Sequence, residues 1–579
     1  MDSSFAIPAQ HNAHTTSRLP DAQDMTRHLN RLAKHREANA LKELYKYMAV
    51  PGMITMAGGI PHPEVFPFET ISATIYQYNA FPLNPPRTPE KEKKSLLSWL
   101  FPSKAESPTV SFTIPKYASG ATNPLTIELS TSLQYQSATG PPALPLFLRE
   151  YVSKVYKPAY ADWDVLINVG ATDGWGKICA MLLEVGDAIL VEEWTYPGAE
   201  NTFVPYEVER VPIKMDGEGL LPGHLEDVLG NWDEETRGKR RPHVLYTIPT
   251  GQNPTGATMQ AERKQEIYKI CQKYDVVICE DEPYYCLYTG EWTPKDTKHE
   301  RSIVAQRQIE AEMKEGSEGN QAFIDALPPS FLAFDTDGRV IRMDTFSKTS
   351  APGSRLGWIT SSPLFIERLT RATEATTQAP SGFATALTAS MIQQWGFEGY
   401  IRWLRGIKAL YNMRKTWLCD IFQEVFHLEF NESSSLFPER SRTVTCYSKR
   451  TQNAWDEKTG KRSRALVTFI PPTGIPADTS IAGMFIFLGV HFKEHPDYHA
   501  LSQQGEDATL TLTKKLWELL ADNLVLFAPG WGFDAGGEHA IGGKGFGYYR
   551  LAFSVATHKE FHDGITRFSE VLHQFFRIK

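Results

Sequence analysis

The stretch from His243 to Tyr285, HVLYTIPTGQNPTGATMQAERKQEIYKICQKYDVVICEDEPYY, holds two short apolar runs separated by a helical pattern. The runs His243-Val-Leu-Tyr-Thr-Ile248 and Val276-Val-Ile-Cys279 have the content of strands, whereas Ile267, Ile270, Cys271 and Tyr274 recur at helical spacing within Gln260 to Tyr274. The three pieces make a β-α-β unit. A right-handed crossover sets the carboxyl ends of its strands side by side. Asn253 leaves the first strand and Asp281 and Tyr284 leave the second, so an amide, a carboxylate and a phenol should face one crevice.

The same alternation continues on both sides. Trp163-Asp-Val-Leu-Ile-Asn-Val169 leads into Gly170 and a helix from about Gly174 to Leu183, followed by the run Asp187 to Glu192. Downstream, Val340 to Phe346 reads as a strand ending in FSKTSAPGSRLGW (Phe346 to Trp358), where Lys348 sits alone among hydroxyls and small residues. Strands alternating with helices predict an α/β fold with a mostly parallel sheet in a large domain. From Ser381 onward, long helices give way to Gly483 to Val490 and Arg550 to Ser554, which predict a smaller α+β domain. The partition expected is an N-terminal arm over 1–50, a first part of the small domain with an insertion over 51–125, the large domain over 126–375 and the rest of the small domain over 376–579. Within the arm, the first ~25 residues read as polar and mobile, and Thr26 to Tyr47 as a helix ending at Val50-Pro-Gly52. Leu83 to Leu125, Gly290 to Ser330 and Glu432 to Arg464 read as loops or insertions.

Composition narrows the function. The 579 residues are 41% hydrophobic and 22% charged with a net charge of -8, a soluble globular balance without the concentrated basic face that nucleic acid requires. No apolar run has the length of a membrane span, and the start has no signal-peptide core, so neither a membrane nor a secretory role is expected. The 6 cysteines show no CxxC spacing, which suggests neither a zinc site nor a disulfide framework, and a cytoplasmic home follows.

Pyridoxal 5'-phosphate is the cofactor that asks for this set of groups. A lysine forms a Schiff base with its aldehyde and can shuttle a proton. A carboxylate beside the pyridine nitrogen keeps that nitrogen protonated, while a phenol and an amide bond the ring's 3-oxygen. Its phosphate wants backbone N–H groups at a helix start together with hydroxyls and an arginine, which Gly170-Ala-Thr-Asp-Gly174, Thr345, Ser347 and Arg355 supply.

In this order and at these separations, TIPTGQNPTG, EDEPYY and DTFSKTSAPGSRLGW resemble fold-type I aminotransferases. MAGGIPHPEVFPF (Met56 to Phe68) and LQYQSATG (Leu133 to Gly140) are similar to the branch that holds fungal aromatic amino-acid, 2-aminoadipate and kynurenine II aminotransferases. The resemblance implies Lys348 as the Schiff-base lysine, Asp281 on the pyridine nitrogen, Asn253 and Tyr284 on the 3-oxygen, and Tyr196 of WTYPGA over the ring. It implies Arg550 of YYRLAFS on the substrate carboxylate, with Asn253 beside it, and Gly58 and Gly59 at the substrate entrance. Tyr135 would reach the other subunit's site in a homodimer with shared active sites. The phosphate turn departs from the family in reading Ala171-Thr172 where relatives often have Ser-Gln, and Asn253-Pro254 is a candidate cis bond, as in relatives.

The implied activity is transfer of an amino group from an amino acid, most simply an aromatic one, to a 2-oxo acid such as 2-oxoglutarate. A 2-aminoadipate, kynurenine or secondary-metabolite aminotransferase, a β-lyase or decarboxylase using the same Lys348 and Asp281, and a ligand-sensing transcription regulator are the alternatives. The last would carry a basic winged-helix domain in front of AGGIP, and no helix-turn-helix pattern is visible there. Plainer roles also exist for Arg550 as a salt-bridge partner, for Tyr196 and Tyr135 in packing, and for Gly58 and Gly59 in a tight turn.

Overall fold

The computed structural model describes residues 19–38, 50–85, 108–294 and 303–431 apart from a few positions, most of 443–469, and 481–536 and 545–578. An antiparallel hairpin, β1 (Thr70–Tyr76) and β2 (Thr109–Pro115), precedes the main body. Then come β3 (Asp164–Asn168), helix α1 (Ala171–Leu182), β4 (Ala188–Glu192), β5 (Glu209–Ile213), β6 (Val244–Thr247), helix α2 (Ala261–Lys273) and β7 (Val277–Asp281). β8 (Val340–Thr345) and β9 (Gly357–Ser361) complete a seven-stranded sheet of order β3-β9-β8-β7-β6-β4-β5. Every neighbour pairs in parallel except β9, which runs against both β8 and β3. The mostly parallel sheet expected from the alternation is therefore present, and its central strands β6, β7 and β8 are buried on both faces, as crossover helices require.

Helix α2 shows why the periodic reading worked. Gln260 enters it in an extended conformation, Ile267, Ile270 and Cys271 are buried, and Glu262 and Lys273 complement the helix dipole at the two ends. A long helix, α3 (Gly382–Val425), broken at Gly396 where φ is +66°, leads to the second sheet. That sheet comprises β10 (Phe426–Asn431), β11 (Thr443–Ser448), β12 (Ala465–Phe469), β13 (Phe485–His491), β14 (Ala528–Pro529) and β15 (Phe546–Ala552). Its order is β10-β11-β12-β13-β15-β14 and all its pairings are antiparallel.

Several expectations are corrected. The helix predicted over Thr26–Tyr47 is not continuous: Thr26–His28 is one 3-10 turn and Arg31–His35 a short helix, with 39–49 outside the described residues. Asn30 breaks it, because its side chain caps Ala33 N and donates to the carbonyls of Ala180 and Leu183. Nor are residues 19–25 mobile: Met25 is fully buried, and the backbone N–H groups of Ala22 and Gln23 donate to Asp162 Oδ1 and Asp337 O. The earlier residues, 1–18, lie outside the described set.

The three segments read as loops also carry structure. β2 lies in the first, the helices Ile303–Glu312 and Ser317–Asp325 in the second, and β11 in the third. β11 was concealed because it is polar yet fully buried: Thr445 Oγ1 pairs with Thr468 Oγ1 at 3.0 Å and Ser448 Oγ with His573 Nε2 at 2.6 Å, so two of its hydroxyls find partners in the interior, while Thr443 Oγ1 is buried without one. α1 begins at Ala171 rather than near Gly174, and β15 begins at Phe546, ahead of Arg550.

Candidate active site

Parallel strands deliver the candidate residues to one edge. Asn168 ends β3 before Gly170, Glu192 ends β4 before Tyr196, Thr247 ends β6 before Asn253, Asp281 ends β7 before Tyr284, and Thr345 ends β8 before Lys348. Since β9 is antiparallel to both β3 and β8, these carboxyl ends point the same way.

Asp281 is buried. The phenol of Tyr246, on the neighbouring strand, donates to its Oδ2 at 2.7 Å, while Oδ1 is buried without a hydrogen-bond partner. Burial pushes its carboxyl up to about 6, the Tyr246 bond opposes that rise, and nearby Asp344 adds to it. An acceptor left open in a dry crevice suits a cationic ring nitrogen, which would supply the missing bond and the missing charge.

Lys348 occupies the turn after β8, held by Ser350 N donating to Phe346 O at 2.8 Å. It is partly buried, and burial, followed by the charge of Arg550, lowers its pKa. Arg550 Nη1 in turn donates to Asn253 Oδ1 at 2.6 Å, its Nε is buried without a partner, and its guanidinium lies between the rings of Phe485 and Phe533, 4.4 and 4.9 Å from their centroids. The Tyr284 phenol is buried, which raises its pKa foremost, and it interacts with the charges of Asp281 and Arg550 and with Tyr196. Asn253-Pro254 is cis. Lys348, Arg550, Asn253, Tyr284, Tyr196 and Asp281 thus form one electrostatically connected group.

A second group lies at the start of α1. Thr345 Oγ1 and Ser347 Oγ pair at 2.8 Å, Arg355 Nη1 lies 3.4 Å from Ser347 Oγ, and its Nη2 donates to Val169 O at 3.3 Å. Gly170 caps the helix at φ +87°, and a Cβ there would lie 2.6 Å from Arg355 Nη2, so the close approach of arginine to helix start needs glycine. Ala171 and Thr172 open the first turn and contribute backbone N–H groups there. Hydroxyls, a guanidinium and helix-start N–H groups together are donors of the kind an anion takes.

Other expected residues lie apart. Tyr135 is 58% exposed, and with Phe66, Phe68, Gln136, Gly382 and Phe383 it lines a separate cavity of about 570 Å³. Gly59 is exposed with open space around it, and Gly58 falls outside the described residues. Sequence reasoning missed Tyr246, Phe485 and Phe533. It missed Glu192 as well, which is fully buried and accepts from Thr247 Oγ1, Ile248 N and Gln252 Nε2, bracing the turn that carries Asn253. The signal for Tyr246 lay in register: it pairs with Cys279, two residues before Asp281 on the same face.

Residues 119–437 match the family model described as aminotransferase class I and II. The chain belongs to that family. An aromatic amino acid aminotransferase of Schizosaccharomyces pombe is 37% identical over 398 residues, covering 68% of this chain and 76% of that protein. The L-tyrosine:2-oxoglutarate aminotransferase atrD of Tapinella panuoides is 30% identical over 597 residues, covering 97% and 98%. The crystal structure of aminotransferase Aro8 from Candida albicans superposes with a TM-score of 0.74 at 30% identity, covering 96% of this chain and all of that one. The fold is therefore that of the family.

Proposed function

We propose that this aminotransferase uses pyridoxal 5'-phosphate to move an amino group from an aromatic amino acid to a 2-oxo acid such as 2-oxoglutarate. The observation that carries the reading is the buried, unpartnered Oδ1 of Asp281, in the crevice that Lys348 enters from the adjacent strand. When bound, the cofactor supplies an aldehyde and an electron-withdrawing ring, through which nitrogen passes from one carbon skeleton to another.

Asp281 would hold the ring nitrogen, Asn253 and Tyr284 the ring's 3-oxygen, and Tyr196 its face. Thr345, Ser347, Arg355 and the N–H groups of Ala171 and Thr172 would hold the phosphate. Arg550 would bind the α-carboxylate of donor and acceptor alike through the edge it does not share with Asn253. Lys348 Nζ, its ammonium disfavoured by burial, would take the proton from Cα of the donor and return one to Cα of the acceptor product. The Phe485 and Phe533 rings beside Arg550, and the names of the relatives, support an aromatic donor.

The reading includes a homodimer. Met56, Ile54 and Val65 are 93%, 84% and 70% exposed on the single chain, an apolar segment that a second copy would cover, and Tyr135 would then reach that copy's site. It also places the protein in the cytoplasm, supported by six cysteines that are all free.

A screen of amino donors with 2-oxoglutarate, read by glutamate formation, tests the function. Phenylalanine, tyrosine and tryptophan are expected to give the highest kcat/KM. Release of ammonia or carbon dioxide in place of glutamate would replace transfer with lyase or decarboxylase chemistry.

A further inference from the structure

The loop that carries Lys348 is held from outside the sheet. Trp403, buried on α3, donates its indole Nε1–H to the carbonyl of Thr349 at 2.8 Å, one residue beyond the lysine. The same indole stacks on Trp395 at 4.8 Å between centroids and packs against Phe81 at 4.7 Å and Tyr76 at 6.4 Å. Tyr76 ends β1, and Phe81 lies just beyond it.

The contact between this segment and α3 is close. Trp395 Nε1 donates to Tyr76 O at 3.0 Å and Arg402 Nη2 to Phe81 O at 3.1 Å. A Cβ at Gly399 would lie 3.1 Å from the Tyr78 ring, and one at Gly406 would lie 2.8 Å from Phe81 Cβ. Gly399 and Gly406 are seven residues apart, on one face of the helix. The hairpin segment thus approaches the helix where side chains are missing, and the indole beside it reaches the lysine loop.

We propose that Trp403 is a positioning residue for Lys348, and that the Tyr76–Phe81 segment acts on the lysine loop through it. The carbonyl of Thr349 has its place set by an indole, and that indole's plane is set by rings from a hairpin outside both large sheets. A shift of the hairpin therefore changes how firmly the Lys348 backbone is held. The inference deepens the proposed function in that Lys348 is taken as the reactive amine, but the mechanical link stands independently of any chemistry.

Hydrogen–deuterium exchange of the cofactor-free protein tests the link first. Trp403→Phe keeps a six-membered ring in the stack and removes the N–H donor together with the rest of the pyrrole ring. Peptides spanning 346–355 are expected to exchange about fivefold faster in this variant, the equivalent of one lost hydrogen bond, while peptides from β4 and α1 stay unchanged. Gly406→Ala, which favours the helix yet crowds Phe81, is expected to raise exchange in the same peptides without altering Trp403. Unchanged exchange over 346–355 in either variant overturns the proposal whatever reaction the protein catalyses.

The second readout is the pH at which the absorbance of the bound cofactor changes. A shift of that midpoint in Trp403→Phe is expected, together with a fall in kcat larger than any change in KM. Faster exchange with the midpoint and kcat of the parent would reduce Trp403 to a packing residue and overturn the positioning role. Absence of a cofactor absorbance in the parent protein would instead overturn the proposed function, leaving the exchange result to judge the link.

Discussion

Tyr246 donates its phenol to Oδ2 of Asp281 across 2.7 Å, from β6 to the last residue of β7, and leaves Oδ1 as the one open acceptor of that carboxylate. The bond orients the acid and draws its pKa down, whereas burial pushes it to about 6. Removing the donor leaves burial and Asp344 unopposed. Tyr246→Phe is therefore expected to shift the acid limb of cofactor binding to higher pH by roughly half a unit to one unit, as measured by the dissociation constant between pH 5 and 8. An unshifted limb would take Tyr246 out of the account.

Asp281 also links function to stability. Its ordinary carboxyl value of 3.8 rises to about 6 in the folded, cofactor-free chain, which therefore binds more protons than the unfolded chain between those values. Stability from this group is full below about pH 4, falls as the pH rises to about 6, and stays low above. Asp281→Asn is expected to stabilise the cofactor-free protein at pH 7 by about 2 kcal/mol, to leave it unchanged near pH 4, and to weaken cofactor binding. Thermal unfolding at the two pH values checks the first two outcomes and equilibrium dialysis the third.

Arg550→Lys keeps a charge but loses the planar fork that reaches Asn253 on one edge and would take a substrate carboxylate on the other. KM is expected to rise by about tenfold or more for every amino donor and every 2-oxo acid, with a smaller change in kcat. Steady-state kinetics over aromatic, aliphatic and acidic donors would show it. A rise confined to one class would move Arg550 to side-chain recognition.

Gly170→Ala puts a Cβ 2.6 Å from Arg355 Nη2 at a backbone φ of +87°. The Arg355 guanidinium must shift at the helix start and the backbone is strained, so cofactor affinity is expected to fall by about tenfold or more while stability falls by only about 1–2 kcal/mol. Fluorescence titration with the cofactor and chemical denaturation measure the two losses separately.

The central sheet was legible because strands buried on both faces read as short apolar runs between helical patterns, as β6, α2 and β7 show. The candidate edge was legible for a related reason: Asp281 ends its strand and Asn253 and Lys348 lie a few residues past theirs, so topology gathers them without any side-chain detail. Elements whose character depends on distant partners were not legible. β11 looks like a polar loop until Thr468 and His573 pair with Thr445 and Ser448, and the arm looks like one helix until Asn30 docks on Ala180 and Leu183. Tyr246, Phe485 and Trp403 escaped notice for the same cause, since register and packing, rather than local pattern, bring them to Asp281, Arg550 and Thr349.

The most direct measurement is borohydride reduction of the cofactor-saturated enzyme followed by mass mapping of its peptides. A single pyridoxyl label on Lys348 is expected, absent from Lys348→Ala. A label on another lysine, or none at all, would contradict it.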